Sequence, residues 1–123
     1  MATEFKRATM ADVVTTALPN TSNGNSDLYT VPANCDTVII GLLLTNISAG
    51  SIVVDALIEV QSGQGEDVFL LKNADIPYGS SLEVISGKVV VANTGSGTGD
   101  TVQVRCQTGG THLDAILSIL ENT

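Results

Sequence analysis

Residues Val38 to Ile47 read VIIGLLLTNI. Apolar side chains occupy both alternating sets, with Val38, Ile40, Leu42 and Leu44 on one and Ile39, Leu43 and Ile47 on the other. A strand with one wet face alternates polar and apolar residues. This stretch does not, so it is expected to run through the middle of a β-structure with both faces covered.

The flanking sequence supplies more strands. Asp27 to Val31 reads as a short strand stopped by Pro32, and Ala33-Asn34 turns the chain into the central strand near Asp36. After it, Ser48 to Ser51 has the length of a hairpin connection. Ile52 to Gln61 sets Val54, Ala56, Ile58 and Val60 against Val53, Asp55, Leu57, Glu59 and Gln61, which predicts one core face and one largely wet face. Glu66 to Asn73 reads as a strand and Ala74 to Gly79 as a loop. Ser80–Ser86 and Lys88–Asn93 are two short strands around Gly87, or one strand bent there. Thr94 to Asp100 is a flexible, glycine-rich loop, and Thr101 to Gln107 alternates cleanly with Val102, Val104 and Cys106 inward.

The ends of the chain are less regular. Residues 1–10 read as an arm, ordered only if something holds it. Ala11 to Leu18 reads as a first strand, with a helical turn as the competing assignment, and Asn20 to Ser26 as an exposed loop. His112 to Glu121 carries helical spacing at Leu113, Ile116, Leu117 and Leu120 and strand spacing at Leu113, Ala115, Leu117 and Ile119. The preceding strands and the tight TGGT turn favour a strand. The expected fold is all-β: an antiparallel β-sandwich of jelly-roll or Greek-key type with roughly eight or nine short strands, one domain over residues 11–123.

Composition agrees with that fold and narrows function. The 123 residues are 43% hydrophobic but only 3% aromatic, with no Trp. Branched aliphatics suit pleated sheets. The net charge is −8, from five basic and thirteen acidic residues, and only Lys6 and Arg7 adjoin. Nucleic-acid binding needs clustered basic side chains, so no nucleic-acid partner is expected. No apolar run approaches the ~20 residues of a membrane span, and MATEFKRATM lacks the apolar core of a signal peptide. Cys35 and Cys106 lie far apart and outside any CxxC pattern, which suggests free thiols made in a reducing compartment.

Candidate chemistry is sparse. The GSGTG run at Gly95–Gly99 precedes a strand, whereas a phosphate loop needs a following helix. Glu66-Asp67 lacks the spacing of a calcium loop. His112 is the single histidine and no GxSxG accompanies it. No catalytic residue, metal site or cofactor is expected.

What stands out is surplus apolar surface. A two-layer sandwich covers one face of each sheet. The second faces of Val38–Ile47 and of His112–Glu121 therefore need an arm, a loop or another subunit. Five branched side chains buried at a subunit contact would favour association by about 5–10 kcal/mol before entropy losses. The candidate assembly surface is Phe5, Lys6, Arg7, Ile39, Leu43, Ile116 and Leu120.

Several stretches resemble small virion structural proteins of tailed bacteriophages, particularly those of marine and cyanobacterial phages. They are Phe5-Lys6-Arg7, Tyr29–Asn34 (YTVPAN), Thr37–Leu42 (TVIIGL), Lys72–Lys88 (KNADIPYGSSLEVISGK), Gly99–Val104 (GDTVQV) and Asp114–Glu121 (DAILSILE). The resemblance implies a non-enzymatic β-sandwich, made in the host cytoplasm, that sits on the particle as a capsid decoration or as a neck, tail or fibre component. The expected partners are further copies of the chain in a homo-oligomer, for which a trimer is a reasonable guess, and other virion proteins. The alternative is a carbohydrate- or receptor-binding sandwich of a host-recognition fibre, suggested by the polar loops Asn20–Ser26 and Thr94–Asp100.

Overall fold

The structure, a computed structural model, describes residues 3–13, 15–19, 26–61, 64–94, 98–108 and 112–123. Among these lie nine strands: β1 Thr3–Met10, β2 Asp27–Thr30, β3 Cys35–Asn46, β4 Ile52–Glu59, β5 Val68–Ile76, β6 Ser81–Glu83, β7 Val89–Asn93, β8 Thr101–Cys106 and β9 Leu113–Asn122. All pair antiparallel, in two sheets. The first sheet runs β1-β9-β3, with β6 and β7 both on the far side of β3; the second runs β2-β8-β4-β5. Counting β6 and β7 as one interrupted strand, the chain crosses between two four-stranded sheets in the jelly-roll manner. The all-β sandwich is as the sequence predicts, and the last segment is a strand.

Both sheets put aliphatic residues into one core, including Ile39, Leu42, Leu44, Val54, Ala56, Ile58, Val102, Val104, Leu113, Leu117 and Ile119. On β3 the inward side is not a single alternating set. Ile39 pairs with Ile119 and Gly41 with Ser118, which leaves Ile40 as an extra residue on β3. Such a bulge shifts the side-chain parity. Ile39 therefore points inward together with Leu42 and Leu44, and all three are fully buried. Val38 and Leu43 are only half-buried and Ile40 is exposed. This corrects the assignment of Ile39 to the assembly surface, since strict alternation cannot register a bulge. At Gly41 the absent side chain leaves room for Glu83, whose Oε2 accepts the Leu42 N–H at 2.8 Å. An added Cβ there would sit 3.3 Å from Glu83 Oε1.

Other expectations also change. Residues 3–10 are held, as the edge strand β1 against β9. The described part of Ala11–Leu18 is not strand: Asp12 takes a φ of 56° and Val13 turns into the core, donating its N–H to Leu113 O. Ser48–Ser51 is not a hairpin, because β3 and β4 lie in different sheets. Asn46 shapes that crossover, accepting from Ser48 N and donating to Gly50 O and, on the second sheet, Ile76 O. β5 continues through Ala74 to Ile76, where a loop was expected. The second face of β4 is not wet, since Asp55 and Leu57 are both buried. β6 and β7 follow each other along β3, interrupted near Gly87, whose φ of 115° suits only glycine. Most of the two polar loops, residues 20–25 and 95–97, lies outside the described residues.

The parity assignment is directly testable by urea unfolding. Ile39→Ala should cost about 2–4 kcal/mol as a core truncation, whereas Ile40→Ala should stay within about 0.5 kcal/mol.

Candidate assembly surface

The register of the first sheet fixes what its outer face displays. One row across the sheet is Phe5, Leu120, Val38 and Val90. The next is Arg7 and Ser118 beside Gly41, with the bulged Ile40 exposed close by. A third is Thr9, Ile116, Leu43 and Glu83. The face is apolar and open: Phe5 is 79% exposed, Val90 66%, Ile40 42% and Ile116 37%. Two shallow depressions lie on it. One, of about 240 Å³, is bordered by Thr9, Met10, Leu43, Thr45 and Ile116; the other, of about 360 Å³, by Phe5, Arg7, Ile40 and Ser118. A patch of this character usually marks an interaction site.

Of the residues singled out from the sequence, Phe5, Arg7, Leu43, Ile116 and Leu120 come together here. Ile39 does not, and Lys6 points to the opposite side of β1. Sequence reasoning missed Val38, Ile40 and Val90. Val90 had a signal, because three consecutive valines in Lys88–Asn93 leave an apolar side chain on each face.

Lys6 belongs to a polar tie between the sheets. Its Nζ lies 2.8 Å from Glu121 Oε1, and Glu121 is otherwise buried. From the second sheet, the Tyr29 hydroxyl donates to Glu121 Oε2 and lies 2.9 Å from Thr37 Oγ1. Burial pushes the Tyr29 phenol up, and the neighbouring Glu121 adds to this. Burial opposes ionisation of Glu121, but the hydrogen bonds from Lys6 and Tyr29 outweigh it and hold the carboxyl below its usual range.

The outer face of the second sheet is different in kind. Its buried Asp55 accepts from Asn73 N at 2.7 Å, from Arg105 Nε, and from Gln107 Nε2 at both carboxylate oxygens. Desolvation again opposes the charge, and these donors outweigh it, lowering the Asp55 carboxyl. Lys72 stacks over Phe69 at 4.4 Å from the ring centroid. These contacts close on themselves, as a structural ion-pair cluster does.

Among the described residues no group of three or more His, Cys, Asp and Glu side chains could hold a metal ion. Asp67, in the acidic pair considered for calcium, accepts the Val60 N–H instead. Cys35 and Cys106 are free, buried thiols. Among the described residues no helix is long and apolar enough to cross a membrane. No known protein family and no curated protein matches the chain.

The two lowered carboxyls give stability a defined pH dependence. Asp55 and Glu121 have ordinary values of 3.8 and 4.5, and both lie lower in the folded chain. The unfolded chain thus binds protons more readily in acid, so their contribution is complete above those values and is lost as pH falls through the folded ones. Glu59, raised by burial and by Asp67 and Asp27, works in the opposite sense. Thermal unfolding followed by circular dichroism should give a level Tm from about pH 7 to 5 and a fall below about pH 4. Asp55→Asn should lower stability at pH 7 by about 2–4 kcal/mol, because it breaks a buried pair, and should make the acid loss shallower.

Proposed function

We propose that this chain is a non-enzymatic structural protein that self-associates and docks on a larger particle, and that the particle is a bacteriophage virion. The observation that carries the reading is the open apolar outer face of the first sheet, built from Phe5, Val38, Ile40, Leu43, Val90, Ile116 and Leu120. Exposed aliphatic and aromatic side chains on one sheet face cost solubility unless a partner covers them. The outer side of the opposite sheet carries the ionic cluster of Asp55, Arg105 and Gln107, and its exposed apolar residues Val68 and Phe69 lie on the edge strand β5.

The virion assignment rests on the sequence resemblance, and the jelly-roll topology supports it as one of the architectures viral coat proteins use. Fold alone does not carry function, so the docking face is the part of the reading to test first. Arg7, on the β1 edge of that face, gives a partner with a complementary carboxylate a point of orientation. The reading places assembly, and no reaction, on these residues, and puts the mature protein on the particle.

Two variants separate docking from folding. Val90→Asp and Ile116→Asp should each change stability by about 1 kcal/mol or less, as surface substitutions. Each should reduce incorporation into purified phage particles at least tenfold, read by immunoblot against the wild type. Leu43→Asp should do the same, with a larger stability loss because Leu43 is half-buried. A wild-type protein that is monomeric by light scattering at micromolar concentration and absent from the particles overturns the reading.

A further inference from the structure

The sandwich has four sheet edges, and they are not alike. β2 is four residues long and its pairing with β8 shifts register. β5 shifts register twice against β4, and Asn73 within it has a positive φ. The β6/β7 edge is split in two around Gly87. Short strands, bulges and breaks are how proteins keep sheet edges from pairing with other chains. β1 has none of these; what it carries is charge of both signs, at Glu4, Lys6 and Arg7. Its eight residues pair with β9 from Thr3 to Met10 without a shift, contain no Pro, and no described strand pairs with their other side.

Charge selects how that edge could pair with itself. In an antiparallel pair related by a two-fold axis through the sheet, directly opposed residues share a face. Centring the axis on Lys6 or Arg7 puts like charges opposite each other, and centring it on Ala8 opposes Lys6 to Met10 and Arg7 to Thr9, with no attractive charge pair. Centring it on Phe5 puts Glu4 opposite Lys6 twice and Phe5 opposite Phe5. Both charged side chains are well exposed, Lys6 at 48% and Glu4 at 62%; within one chain they lie 3.8 Å apart, and Lys6 also holds Glu121 at 2.8 Å, so the second copy's Glu4 would add to a pairing Lys6 already makes.

We propose that two copies of this chain pair antiparallel through their β1 edges, with Phe5 opposite Phe5 and Glu4 of each copy opposite Lys6 of the other. The pairing joins the two first sheets into one and merges their apolar outer faces into a single docking surface. It rests on the self-association proposed above and names the surface that carries it; the docking face itself stays open.

Sedimentation velocity on the full chain should show a dimer. Glu4→Lys should weaken it at least about tenfold, since two opposite-charge pairs become like-charge pairs. Glu66→Lys makes the same charge change at an exposed loop residue and should leave the dimer unchanged. Phe5→Cys should cross-link the dimer with a short bis-maleimide, the native cysteines being buried. Spin labels on Thr9→Cys should lie about 27 Å apart, eight residues along a strand at ~3.4 Å each. A dimer or trimer that ignores Glu4→Lys and fails to cross-link at position 5 overturns the edge pairing while leaving self-association standing. A monomer overturns both, and incorporation into particles then tests docking alone.

Discussion

The bulge at Ile40 decides which side of β3 is core and which is surface. Because one residue is left over against β9, Ile39 and Leu42 face the same way although three positions apart. Strict alternation through this stretch would turn either Ile39 or the pair Leu42 and Leu44 outward. Each is among the largest fully buried side chains, and losing one such residue typically costs 2–5 kcal/mol. Glu83 secures the irregularity by taking the Leu42 N–H with its carboxylate. The same shift leaves Val38, Ile40 and Leu43 on the outer face, so one local feature sets both the core and the apolar outer surface.

A core of branched aliphatics is close to interchangeable in shape, and polar ties set how the two sheets meet. Tyr29 reaches from β2 to Thr37 and Glu121. Asn46 binds the Ile76 carbonyl across the crossover. Asp100 accepts from Ala92 N of β7 with one oxygen and from Gln61 N, just beyond β4, with the other. Each tie joins one sheet to the other, and each satisfies groups that would be costly if buried alone. Together they specify one alignment of layers that hydrophobic contact alone would leave loose.

The fold class was legible because it rests on period-two patterning and turn residues. The inward Val102, Val104 and Cys106 of Thr101–Gln107 are all buried as the sequence suggests, although Thr101 and Gln103, on the expected outward set, are buried too. The connections were less legible. Ser48–Ser51 has hairpin length, yet nothing local to it shows that Asn46 will bridge to Ile76 and send the chain to the other sheet. Asp55 looks like an outward polar residue until Arg105 and Gln107, some fifty positions away, close over it. The apolar outer face was read in outline from apolar excess. Its membership failed at Ile39 because a bulge is a property of pairing between strands and has no signature in one of them.

The position of β9 also bears on how the protein is made. This strand pairs with both β1 and β3 and is the last of the sheet to be synthesised. β1 emerges about a hundred residues earlier, on the order of 5–20 s at ordinary elongation rates. During that interval β1 has no partner, and the outer strands of its sheet cannot close around the core. The first sheet therefore cannot close until β9 has been made, and the nascent chain is most vulnerable just before that strand arrives.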